Sequence, residues 1–208
     1  MHQRSRVRRE DGAASSGPQP DFRPVVQSVF SRLVECGARY DAAPLFPLDS
    51  VEILRRSGLQ RVFATPASGG ASFADARAEN AALLDVLRII GRADLSLGRI
   101  FEGHVNALKL FTWLGSDEQR ARLASALDDG AFYGVWATEP PPGVTVRREV
   151  TDWLLTGSKA FATGAGGLAF AIITARREDG DTQLVVVPAD DAGRADLSGW
   201  RVRGMRAT

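Results

Sequence analysis

Few side chains in this sequence are equipped for chemistry. Among 208 residues there is one cysteine, Cys36, and two histidines, His2 and His104. One thiol cannot close a disulfide within the chain, and Cys36 with His104 is too small a set for a zinc site of Cys and His ligands. A serine or cysteine nucleophile would need His104 as its base, since His2 sits in an arginine-rich tail, and no Gly-x-Ser-x-Gly elbow occurs. Chemistry in this chain therefore points to a cofactor. Near His104, Glu102 and Asn106 interrupt an apolar stretch; four residues apart, they share a helical face, whereas His104 points elsewhere, toward Leu108. Lone polar residues of this kind fit hydrogen-bonded packing or the shaping of a substrate pocket. Cys36 reads as a small core residue. Gly164, Gly166 and Gly167 resemble a phosphate loop, but a strand pattern follows where such a loop needs a helix, so a tight turn is the reading.

The elements that must position these residues follow from the apolar period. Val25, Val26, Val29, Phe30, Leu33 and Val34 recur at helical spacing and predict a helix over 23–40. Asp49 or Ser50 is expected to cap a short second helix ending near Gly58. A long helix is expected over 73–93, with Ala81, Leu84, Leu87 and Ile90 on its inner stripe. Another is expected over 95–114, apolar on most faces and therefore central. Ser116 followed by Gln119 is a capping box opening a last helix that ends near 128–130. After Gly130 the period shortens, predicting strands over 132–137, 153–156, 160–163, 168–175 and 183–187. Helices first and strands second is an α+β arrangement, and it argues against an alternating dinucleotide-binding fold.

Charge and hydropathy remove further classes. Residues 1–9 carry four of the 26 basic residues and none of the 25 acidic ones, so the rest carries 22 minus 25, or −3. A mildly acidic body has no electrostatic footprint for nucleic acid. No run reaches the roughly 18–20 apolar residues of a membrane span, and no secretory signal follows the basic tail, so a cytoplasmic protein is expected. Residues 1–21 read as a disordered arm.

Three stretches occur in an order that resembles the acyl-CoA dehydrogenase family. They are Tyr133-Gly-Val-Trp-Ala-Thr138-Glu139-Pro140, then Leu155-Thr-Gly157-Ser-Lys159-Ala-Phe161-Ala-Thr163-Gly-Ala165, and finally Gly204-Met-Arg206-Ala-Thr208. The Gly69-Gly70 loop, Gly98-Arg99 and the helix start at Gly115-Ser-Asp117-Glu-Gln119 keep the same order. The resemblance implies a helical N-terminal domain over 22–130 and, over 131–208, part of an antiparallel β-barrel-like middle domain. It also implies FAD held between that domain and a C-terminal helical bundle. The catalytic base belongs to that bundle, so no catalytic residue is assigned here. The chain is expected to be a truncated product, inactive alone, whose full-length relative forms a homo-oligomer.

By the same resemblance, Val135, Trp136 and Thr138 lie along the flavin, with backbone N–H groups and the Thr138 hydroxyl at its polar edge. Phe161 stands where the family usually has Trp, against the flavin face, and Thr163 two residues on is expected on the same side of a strand. Glu102, Asn106 and Val144 fall at the acyl pocket. Val144 replaces a serine of the family pattern, and the prolines at 140–142 stiffen the loop before it. That departure weakens a fatty acyl-CoA substrate and makes the family's reduced-flavin monooxygenase branch the alternative. The implied partners are an acyl-CoA or other small molecule, and an electron-accepting flavoprotein or a flavin reductase. A non-catalytic fragment that pairs its open strand edge with another chain is a further reading.

Overall fold

The computed structural model describes residues 19–43, 45–150 and 152–189; the basic tail and the motif at 204–208 with Arg206 lie outside them. Five helices precede five strands: α1 (Arg23–Ala42), α2 (Leu48–Arg56), α3 (Ala76–Ala93), α4 (Leu95–Leu114) and α5 (Asp117–Asp128), then β1 (Tyr133–Trp136), β2 (Thr145–Arg148), β3 (Trp153–Thr156), β4 (Phe170–Arg177) and β5 (Thr182–Pro188). The α+β arrangement is borne out.

Each helix forms for a local reason. In α1, Pro24 lies in the first turn, where its missing N–H costs nothing, and Val26, Val29, Leu33 and Cys36 recur at three- and four-residue spacing to make the buried stripe. Val25 and Val34, expected on that face, are instead 37% and 40% exposed, because each lies about 100° of helix rotation away from a buried neighbour. The second helix starts one residue earlier than the expected caps. Pro47 precedes it, no side chain caps it, and the Asp49 N–H finds the Tyr40 hydroxyl at 3.2 Å. Ser50 is instead fully buried. Asp75 caps α3 by accepting from the Ala78 N–H at 2.7 Å. The inner residues of α3 are Val86, Ile89 and Ile90, flanked by Ala82, Leu83 and Leu87; Ala81 and Leu84 of the expected stripe face outward. Helix α4 has the expected bounds and buries nine residues, His104 among them. The capping box opening α5 is present in both directions, with Gln119 N–H to Ser116 Oγ at 3.2 Å and Ser116 N–H to Gln119 Oε1 at 2.8 Å.

The sheet is open and mixed. Its central strand, β4, runs parallel to β1 with Tyr133 opposite Phe170, parallel to β2 at residues 176–177, and antiparallel to β5; β2 and β3 form an antiparallel pair. Antiparallel pairing thus holds for two of the four ladders and not for β1 or for β2 against β4. Strand β2 was not expected, because only Val146 of Thr-Val-Arg-Arg is buried and no apolar alternation marks it. The expected strand at 160–163 is a turn.

One core joins helices to strands. Leu33, Phe63, Ile90 and Phe101 share a cluster with Trp136, Val146 and Ala171, and each large side chain so buried contributes about 1.5–3 kcal/mol. Phe63 lies parallel to Phe73 at 5.9 Å and edge-on to Phe22 and Phe101. A second cluster packs Leu108 and Phe111 of α4 and Leu123 and Leu127 of α5 against Tyr133 and Ile172. Helix α4 is thereby wedged between the other helices and the start of β1, as its apolar surface requires. No helix among the described residues is long and apolar enough to cross a membrane.

Candidate functional site

The chemistry-bearing residues gather where β1 ends. Trp136, the last residue of that strand, is buried, and its indole N–H donates to the Thr163 carbonyl at 3.0 Å. Two residues on, the Thr138 carbonyl accepts the Ala160 N–H at 2.9 Å. These two bonds stitch the strand end to the 160–163 turn across more than twenty residues of sequence. The Thr138 side chain is exposed, and neither its N–H nor its hydroxyl meets a partner among the described residues; the same holds for the hydroxyl of half-buried Thr163.

Phe161 projects from this turn. Its φ is +55°, a left-handed conformation that costs a side-chain-bearing residue on the order of 1–2 kcal/mol, and the residue is 87% exposed. The turn holds it there, with Thr163 N–H to Phe161 carbonyl at 2.9 Å and Ala165 N–H to Ala162 carbonyl at 3.0 Å. Because the segment is not a strand, period-two spacing does not align Phe161 with Thr163; the turn brings them together. Val135 is half-buried and packs into the second core cluster, so it meets this site through its backbone.

A charged pair, Lys159 and Glu139, lies against the residues flanking Thr138. The Lys159 side chain is 6% exposed, and its ammonium donates to the Glu139 carboxylate, to Thr174 Oγ1 at 2.7 Å and to the Ala137 carbonyl at 3.5 Å. Glu139 also accepts the Val144 N–H at 3.3 Å. The Lys159 hydrogen bond holds the Glu139 carboxyl below its ordinary range, and the charge of Arg176 adds to the pull. Two opposite charges in neighbouring motifs that are otherwise apolar or small were the available signal.

The remaining expected residues lie elsewhere. Glu102 pairs with Arg99 and accepts from the Asn106 side chain at 2.5 Å, confirming their shared face on α4; among the described residues no hydrogen bond links either to β1. Val144 is buried in the main core. His104 is the hydrogen-bonded packing residue: its Nε2–H donates to the Gln60 carbonyl at 2.8 Å while Nδ1 accepts the Tyr133 N–H at 3.0 Å. That pattern selects the Nε2–H tautomer, and burial lowers the ring's pKa to about 4. With both nitrogens committed, His104 is not poised as a base. Among the described residues no three His, Cys, Asp or Glu side chains gather as a metal site. A shallow groove of about 330 Å³, lined by Val51, Asp129, Phe132 and Phe170, opens at the other end of β1 and includes none of the Thr138 group.

No family model matches the chain. It is 32% identical over 92 residues to the acyl-CoA dehydrogenase FadE12 of Mycobacterium tuberculosis, covering 38% of this chain and 24% of that protein. It is 28% identical over 169 residues to the dibenzothiophene monooxygenase of Rhodococcus erythropolis, covering 76% of this chain and 39% of the relative. The chain therefore spans less than half the length of these curated relatives. Its fold is similar to that of the FMN-bound TdsC from Paenibacillus sp. A11-2, with a TM-score of 0.71 at 22% identity over 82% of this chain and 44% of that one. The resemblance in sequence order is matched by a resemblance in fold.

Proposed function

On the premise that the chain resembles the acyl-CoA dehydrogenase family in sequence and fold, we propose that it supplies one wall of a flavin site in an oxidoreductase. The observation that carries this reading is the joining at the end of β1, through the Ala160–Thr138 and Trp136–Thr163 bonds, of an exposed Phe161 at positive φ with two threonine hydroxyls and a backbone N–H that have no partner among the described residues. A flat ring system with apolar faces and a polar edge suits such a wall: Phe161 covers a face, while Thr138 and Thr163 address the edge. Trp136 serves by holding the Thr163 carbonyl, and Val135 through its backbone. Bound flavin would supply the two-electron redox chemistry; the residues of this chain bind it, orient it and donate hydrogen bonds that favour negative charge on its polar edge. The flavin in this reading is FAD, with FMN, which TdsC binds, as its competitor.

The helical part over 22–130 and the strand part from 131 onward form, in this proposal, two successive domains, and no residue here is proposed as the catalytic base. Two reactions follow from the relatives. Dehydrogenation of an acyl thioester is supported by the identity to FadE12. Reduced-flavin monooxygenation is favoured by the wider match to dibenzothiophene monooxygenase and by Val144, whose buried side chain offers a substrate no hydroxyl. Their partners would differ accordingly: an electron-accepting flavoprotein for the first, a flavin reductase for the second.

The test is an absorbance spectrum of the purified chain after incubation with FAD or FMN and removal of the excess by gel filtration. Flavin retained near one per chain is the expected result, and a folded protein that retains neither flavin refutes the wall. Turnover of an acyl-CoA with a dye acceptor, compared with oxygenation of dibenzothiophene by reduced flavin, separates the two reactions once these residues are joined to the C-terminal bundle of a relative, which is to supply the base.

A further inference from the structure

We propose that Lys159 is a positioning residue of this wall, and that its ammonium straddles Thr138 and presents the threonine's free N–H and hydroxyl on the same side as Phe161; this deepens, and rests on, the flavin reading above. Two of the three Lys159 acceptors are the residues flanking Thr138, the Ala137 carbonyl on one side and the Glu139 carboxylate on the other. The third, Thr174 Oγ1, belongs to the central strand β4 and itself bonds the Ala137 carbonyl at 3.3 Å. Every donor of the ammonium is thus used, and the charge is anchored to the most extensively paired strand of the sheet. The residue after Lys159 is Ala160, whose N–H closes on the Thr138 carbonyl. Thr138 is therefore gripped through both neighbours and through its own carbonyl, while its N–H and hydroxyl have no partner among the described residues.

Packing alone gives no reason for this arrangement. A buried ammonium carries a desolvation cost, and an apolar side chain of the same length would stabilise the interior at least as well. What the charge provides is direction, because three acceptors on two segments, residues 137–139 and strand β4, fix where the backbone at 137–139 can lie. Glu139 extends the grip by accepting the Val144 N–H and so holding the far end of the proline loop. Lys159 touches no ligand in this proposal; it acts through Ala137, Glu139 and Ala160.

The experiment uses the 208-residue chain with two variants. Lys159→Met removes the ammonium, and Lys159→Met/Glu139→Gln also removes the stranded carboxylate, so that a fold intolerant of one lone charge still yields a testable protein. Two quantities are read: hydrogen exchange at the Ala160 amide without flavin, and the affinity for FAD and FMN by fluorescence titration. The expected result is a loss of about ten-fold in Ala160 protection and about ten-fold in flavin affinity, with the β4–β5 ladder amides unchanged. Unchanged Ala160 protection in the double variant overturns the grip. Lost protection with unchanged flavin affinity overturns the positioning role and leaves an ordinary structural contact. If the unaltered chain binds neither flavin while its Ala160 amide is protected, the flavin reading has failed and this inference falls with it; binding by the unaltered chain that the variants match sinks the inference alone.

Discussion

The two ends of β1 both satisfy their buried polar groups but differ in what they leave exposed. At its start, the Tyr133 N–H is received by His104, a neutral ring that is wholly enclosed and has its other nitrogen bonded to Gln60. Both ring nitrogens, the Gln60 carbonyl and the Tyr133 N–H are answered from within the protein. At its end, Lys159 and Glu139 are also answered internally, yet among the described residues the Thr138 N–H and the Thr138 and Thr163 hydroxyls have no partner, and Phe161 is exposed. One short strand thus joins a closed anchor to an open edge. The lesson is that satisfied buried groups mark what holds the fold, and unsatisfied exposed groups on a rigid support mark where a ligand belongs.

Substitution at the closed end is expected to have the largest effect. His104→Leu leaves the Gln60 carbonyl and the Tyr133 N–H buried without partners, which should cost about 3–4 kcal/mol of stability in denaturant unfolding. A loss below about 1 kcal/mol would erase the distinction between the two ends. The same ring predicts a slightly smaller pH effect. Its folded pKa of about 4 lies below the ordinary 6.5, so between those values the unfolded chain binds more protons and stability rises with pH. The His104 contribution is full above pH 6.5 and is lost as pH falls toward 4, an amount on the order of 3 kcal/mol. Comparing stability across that window with His104→Leu isolates the effect, since the variant lacks it; equal slopes in the two proteins would contradict the assignment.

At the open end the expected change in stability is the smallest. Phe161→Gly removes an exposed ring and relieves the left-handed strain while loosening the unfolded chain, so unfolding free energy should stay within about 1 kcal/mol. Flavin retention should nevertheless fall sharply. A variant that unfolds easily, or that binds flavin as before, would show Phe161 to be a packing residue and blur the contrast.

How far this was legible from residue order differs between the same two regions. The bounds of α4 and the capping box of α5 follow from local rules: an apolar period, a serine hydroxyl, and a glutamine three residues later, all within a turn or two of chain. The polar pair Glu102 and Asn106 was placed on one helix face for the same reason. Strand β2 is a strand by its pairing and not by its pattern; Thr145 and Val146 lie against Arg176 and Arg177, 31 residues on. The 160–163 segment reads as a strand by composition, and only the surrounding turn sets Phe161 at a positive φ. The outer placement of Ala81 and Leu84 likewise depended on which side of α3 its neighbours occupy.

Composition and period were sufficient for the bounds of α4, the capping box of α5 and the order of helices before strands, and one cysteine rules out a disulfide within the chain. They sufficed because each rests on interactions within about four residues or on a count of side chains. The seat of Thr138 beside Phe161, the Lys159–Glu139 pair across 20 residues and the His104 bond to Tyr133 across 29 were decided only when the chain packed. Contacts of that separation are selected by the shape and burial of the whole core, which enclosed an ammonium beside its carboxylate and left a phenyl ring outside.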